Sequence, residues 1–103
     1  MTITVIGRHM DVTPPLKAHA ETKASKLEKY YDLIREIEVI FDVGKDDSSN
    51  VEMIVHAEHR NTFVAHQGGS DAYACVDGCV HKLERQITEH KQKFRNRKHP
   101  GIE

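Results

Sequence analysis

Between Glu36 and Gln67 three successive runs alternate apolar with polar residues, and this pattern constrains the fold more than any other feature of the chain. Glu36 to Val43 sets Ile37, Val39, Phe41 and Val43 on one side and Glu36, Glu38, Ile40 and Asp42 on the other. Val51 to Glu58 repeats the pattern, with Val51, Met53, Val55 and Ala57 against Glu52, Ile54, His56 and Glu58. Thr62 to Gln67 is a third run, closed by Gly68-Gly69. A period of two is the mark of a strand with one buried face. The connections are Gly44–Asn50, rich in turn-forming residues, and His59-Arg60-Asn61. The three strands therefore form an antiparallel meander, dry on one side and wet on the other.

Helical periods flank the meander. Leu16, Ala20, Ala24, Leu27, Tyr31 and Ile34 recur at spacings of four and three, which predicts an amphipathic helix over roughly Pro15 to Leu33. Thr13 is its candidate N-cap, and proline is tolerated in a first turn whose N–H groups lack partners anyway. Val76, Val80, Leu83, Ile87, His90 and Phe94 define a second helix, with Ser70 and Asp71 as N-cap candidates. Thr2 to Gly7 alternates as a short first strand. The order is thus β-α-β-β-β-α, an α+β fold. The first strand pairs parallel to the second through the crossover helix. Because the strands have a single apolar face, both helices must pack on that face of the four-stranded sheet. Residues 1–95 form one domain, and 96–103 a basic flexible tail.

Several function classes are excluded at this stage. The longest apolar run, Ala72 to Val76, is far short of the roughly 20 residues a membrane span needs, and the opening segment lacks a basic-then-apolar leader pattern. Cys75 and Cys79 sit four apart on a helix, a poor arrangement for a disulfide, so a reducing, cytoplasmic setting is expected. No metal and no cofactor are expected, because no His or Cys spacing resembles a zinc finger or an HExxH helix. There is no glycine-rich phosphate loop and no GxSxG elbow, which argues against an enzyme and against a small-molecule substrate.

Charge is segregated along the chain. Residues 36–58 carry Glu36, Glu38, Asp42, Asp46, Asp47, Glu52 and Glu58 against Lys45 alone, while residues 79–103 and 13–35 are net basic. On the expected architecture the open sheet face is acidic, with Glu36, Glu38, Asp42, Glu52 and Glu58. At about 100° per residue, Lys23, Lys26 and Lys29 fall along one flank of the first helix. Lys82, Arg85, Gln86 and Lys93 fall along one flank of the second, interrupted by Glu89. Sorted cations on two helices of one layer suit phosphates. The acidic sheet lacks the stacked aromatics of sheet-surface RNA binders, so recognition of backbone and shape is expected rather than of splayed bases.

The segments Lys26-Leu27-Glu28-Lys29-Tyr30-Tyr31, Asp71-Ala72-Tyr73-Ala74-Cys75-Val76-Asp77, Lys82-Leu83-Glu84-Arg85-Gln86-Ile87 and His90-Lys91 carry a resemblance. Together they resemble the ribosome hibernation-promoting factors, also called the ribosome-associated inhibitor, protein Y or sigma-54 modulation family. The resemblance covers nearly the whole chain and implies a monomeric, non-enzymatic cytoplasmic protein. Such a protein docks on the RNA of the small ribosomal subunit in stationary or starved cells. There it occupies the tRNA and messenger RNA path at the decoding region. It implies ribosomal RNA contacts for Lys23, Lys26, Lys29, Lys82, Arg85 and Gln86, and less tightly for Lys91 and Lys93. Glu89 departs from the base that close relatives often carry there. The resemblance is to the short form, without the extra C-terminal domain of long forms and without the acidic tail of some relatives. Two alternatives stand beside it: a generic double-stranded RNA binder, and a protein-interaction module whose acidic sheet docks a basic partner.

Overall fold

A computed structural model describes the backbone of residues 1–97 and side chains through Lys93. The elements are β1 (Thr2–Arg8), α1 (Pro14–Ser25), β2 (Ile34–Val43), β3 (Ser49–Ala57), β4 (Thr62–Gly69) and α2 (Ala72–Arg97). Single 3₁₀ turns at Lys26–Lys29, Lys45–Asp47 and Glu58–Arg60 join them. The sheet runs β1-β2-β3-β4, with β1 parallel to β2 as the crossover helix predicts and the other pairs antiparallel as the meander predicts.

Local chemistry accounts for the ends of the elements. The Thr13 hydroxyl accepts the Leu16 N–H at 3.4 Å, and prolines fill the first helical positions, where a missing N–H costs nothing. Asp71 caps α2, accepting the Tyr73 N–H at 2.9 Å. The inward residues of β2 and β3 meet Leu16, Ala20, Ala24 and Leu27 of α1 and Val76, Cys79, Leu83 and Ile87 of α2 in one core. Ala20 and Ala24 are fully buried, so α1 lies close to its neighbours. Gly78 does the same for α2: a Cβ there would sit 3.0 Å from Cγ of Gln67, so glycine lets the helix press onto β4.

The structure differs from the expected boundaries at the end of the first helix and at the ends of β2 and β3. The first helix ends at Ser25, well before Leu33; Lys26–Lys29 tightens into a 3₁₀ turn, and the N–H groups of Tyr30 and Tyr31 both donate to the Leu27 carbonyl. Leu27, Tyr31 and Ile34 are buried as their spacing requires. A turn and a strand entrance meet that requirement in place of a longer helix. The register of β2 against β3 shifts between Ile34 and Glu36, a bulge that leaves Arg35 without a cross-strand register partner and turns Ile34 inward although Glu36 and Glu38 face outward. Glu58 leaves the sheet face for a turn and pairs with Arg35 at 3.6 Å, and Val43, at the strand end, is 47% exposed rather than inward. Helix α2 continues through Arg97, so 96 and 97 are helical; the rest of the expected tail, 98–103, lies outside the described residues, as does the Phe94 side chain.

Candidate nucleic-acid interface

Helix α1 turns one flank toward α2. His19 Nε2 lies 3.0 Å from the Asp77 carboxylate, and Lys23 Nζ approaches the same oxygen at 4.0 Å. The Tyr73 ring meets His19 edge-on at 5.0 Å. Asp77 therefore sits under the first basic row and offsets part of its charge, though a pair this exposed contributes little. Lys26 and Lys29 continue the row from the 3₁₀ turn, are exposed, and form no ion pair among the described residues.

Helix α2 presents two unlike flanks. Asp77, Glu84 and Lys91 recur every seven residues and share the side turned to α1. Lys91 Nζ donates to the Tyr30 carbonyl at 2.7 Å, which ties the end of the 3₁₀ turn to α2. On the other flank Lys82 Nζ donates to the His66 carbonyl at 2.6 Å, and Gln86 Nε2 to the Val64 carbonyl at 2.8 Å. Both acceptors belong to β4, an edge strand whose outward polar groups have no strand partner. Lys82 and Gln86 thus close part of that edge. The Lys82 ammonium has three donors, so two remain for other acceptors. Arg85 stands on the crest, 84% exposed, with Nε 3.2 Å from Glu89 one turn on; Lys93 is exposed.

The predicted contact residues, seven cations and the neutral amide of Gln86, share the helical layer but form two rows. Lys23, Lys26 and Lys29 line the α1 side, while Lys82, Gln86 and Lys93 line the β4 side. Arg85 lies between the rows, and the carboxylates of Asp77 and Glu84 lie along the inner flank of α2. The structural duties of Lys82, Gln86 and Lys91 escaped sequence reasoning. A helical wheel shows which flank a residue occupies but not which carbonyl lies beneath it. His19 escaped as well; its signal was only the spacing to Lys23 on one helix face.

The opposite surface is acidic, with Glu36, Glu38, Asp42 and Glu52 projecting from the sheet. Asp42 is held below the ordinary carboxylate value, first by a hydrogen bond from His9 and then by the Val43 N–H. Among the described residues Glu36, Glu38 and His56 bring donor atoms within 4.8 Å of one another: His56 stands opposite Glu36 in register and is hydrogen-bonded to Glu38 at 3.2 Å. Cys75 and Cys79 are free and buried. Burial pushes the Cys79 thiol up to about 11, and Sγ donates to the Val51 carbonyl at 3.4 Å. Tyr31 packs edge-on against Phe63 and His90, whereas Tyr30 and Tyr73 are exposed. No helix among the described residues is long and apolar enough to cross a membrane.

The fold and the two surfaces define a class: a two-layer α+β domain with cations concentrated on its helices and carboxylates on its open sheet. Residues 3–95 match the family model described as sigma 54 modulation protein / S30EA ribosomal protein, and the chain belongs to that family. It is 34% identical over 98 residues to a protein of Klebsiella oxytoca named ribosome hibernation promoting factor, across 92% of this chain and 98% of the relative. The protein of that name in Escherichia coli K12 is 30% identical over 95 residues, with the same coverage. Among solved structures, a ribosomal subunit interface protein from Coxiella burnetii superposes with a TM-score of 0.81 at 30% identity, covering 89% of this chain and 99% of that one. The N-terminal domain of Thermus thermophilus Protein Y shares the fold, with a TM-score of 0.76 at 24% identity over 87% of this chain and 99% of that one.

Proposed function

We propose that this protein is a ribosome-bound hibernation factor that lays its helical layer on small-subunit RNA at the decoding region and keeps tRNA and messenger RNA out. The observation that carries the reading is the division of charge between two faces: phosphates are attracted to the helices and repelled by the sheet. The names of the relatives support the ribosome as partner.

Lys26, Lys29, Arg85 and Lys93 make the first phosphate contacts: all four are exposed, and the Arg85 pair with Glu89 is itself exposed and cheap to release. Lys23, Lys82 and Lys91 add charge while holding their intramolecular partners, and Gln86 adds a polar contact beside them. The protein acts by occupancy rather than catalysis, as a cytoplasmic monomer in stationary or starved cells. Each neutralised phosphate releases counterions, so binding falls steeply with salt, by a log-log slope of about 0.7–0.9 per contact. Cosedimentation with purified small subunits tests the reading. The wild type is expected to pellet at low salt and to be displaced by tRNA. Indifference to both salt and tRNA would overturn it.

A further inference from the structure

On the sheet face turned away from the helices, outward side chains align in cross-strand rows. One row reads Thr4, Glu38, Ile54, Val64; the next reads Ile6, Ile40, Glu52, His66. The aliphatic halves of the two rows meet diagonally at Ile40 and Ile54. Diagonal neighbours on one face lie roughly 7–8 Å apart, within reach of branched side chains. Ile6, Ile40, Ile54 and Val64 therefore make one band across all four strands, about 14 Å long over three inter-strand gaps. Ile40, in the middle, is only 7% exposed, while the band's ends stand open at 44% for Ile6 and 46% for Val64.

Carboxylates border this band on both sides. Glu38 and Glu52 are its direct neighbours in the rows, and Glu36 and Asp42 lie one row further out. Against them stand Arg8, beside Asp42 in register, and the imidazoles of His9, His56 and His66. A contiguous aliphatic strip with a polar rim is the form of an interaction surface. The charge selects the occupant. RNA and anionic lipid carry the sign of the face itself, as does the sheet face of a second copy.

We propose that this band docks a cationic amphipathic protein segment. Its aliphatic stripe seats on Ile6, Ile40, Ile54 and Val64, and its Lys or Arg side chains on either side of the stripe reach Glu38 and Glu52. A helical segment of about ten residues spans the band at 1.5 Å per residue. The surface lies on the layer opposite the cations, so this docking is independent of what the helices bind.

The test is an NMR titration of the full chain with a synthetic 14-residue helical peptide, leucines along one stripe and lysines on both flanks. A control peptide keeps the lysines and replaces every leucine with glutamine. Shifts are expected to concentrate on Ile6, Glu38, Ile54 and Val64 and to leave α1 and α2 unmoved. The control is expected to bind at least fivefold more weakly. I54T/V64T and E38Q/E52Q are each expected to weaken the leucine peptide at least fivefold. V64T alone, an exposed change on the edge strand, serves if the double variant loses its fold, and is expected to weaken it at least twofold. Equal binding of both peptides, shifts on the helices, no binding, or self-association of the chain through this face would overturn the proposal.

Discussion

Lys82 and Gln86 stand where two duties meet, and removing each duty separately gives a sharp prediction. Their hydrogen bonds to His66 and Val64 hold α2 against the edge strand. An intramolecular hydrogen bond contributes about 0.5–1.5 kcal/mol net, and these lie toward the lower end because water reaches the edge. K82A/Q86A is therefore expected to lose about 1–2 kcal/mol, which for a domain near this size lowers Tm by roughly 4–16 °C. Amide exchange should quicken along β4 before it does along β2 and β3, since only the edge strand loses its anchors. The variant K82Q separates the two duties: its amide keeps a donor for the edge carbonyl but carries no charge. It should unfold within about 0.5 kcal/mol of wild type while binding small subunits more weakly and with a shallower salt dependence. Urea denaturation read by circular dichroism, with hydrogen exchange by mass spectrometry, makes the measurement. A K82A/Q86A double variant with wild-type stability and unchanged β4 exchange would refute the anchoring argument. A K82Q variant with full ribosome affinity would remove Lys82 from the interface.

Three further outcomes follow from the same geometry. D77N removes the carboxylate beneath His19 and Lys23, and exposed pairs of this kind are worth about 0.2–1 kcal/mol, so ribosome affinity at low salt should rise between about 1.4-fold and fivefold; unchanged or weaker binding would mean Lys23 is not in contact. Asp42 has a carboxyl depressed in the folded state by His9 and the Val43 N–H, so its stabilisation is present above the ordinary carboxylate value and is lost as pH falls through the lowered folded value. D42N should therefore lose stability near neutrality and converge with wild type in acid, and a difference that persists under acid conditions would contradict the assignment. The Cys79 thiol, raised to about 11 by burial, should react with a thiol-specific disulfide reagent at neutral pH only as fast as the protein opens, so its rate should climb with urea; prompt reaction in native buffer would show the site to be open.

Much of this fold was legible because its strands and helices obey different periods in clean succession. The alternation from Glu36 to Gln67 announced the meander, and the stripe from Val76 to Ile87 announced α2, because both elements pack one face and expose the other. The end of α1 was not legible. Leu27, Tyr31 and Ile34 keep a helical spacing, yet the chain must reverse there to enter β2, and a turn can bury the same residues. The bulge at Arg35 was hidden for a related reason: one extra residue changes which side a strand shows without changing composition. Positions on a helix flank follow from spacing alone, so the sequence suffices to put these cations in the helical layer. Their division into two rows could not, because it depends on how α2 sits over β4 and on which carbonyls that places under Lys82 and Gln86. The aliphatic diagonal was equally invisible, since Ile40 and Ile54 become neighbours only through the β2–β3 register.

The central claim is that exposed cations on both helical segments hold the protein to ribosomal RNA. K26E/R85E reverses one such cation on each helical segment, and both side chains are exposed; R85E replaces the Arg85–Glu89 pair with two like charges one turn apart, worth a few tenths of a kcal/mol, so the fold should survive with its unfolding midpoint lowered by no more than about 5 °C. In cosedimentation with small subunits at about 100 mM salt, where the Debye length is near 10 Å, the wild type is predicted to pellet and the double variant to remain in the supernatant. A folded K26E/R85E protein that pellets like the wild type would contradict the claim.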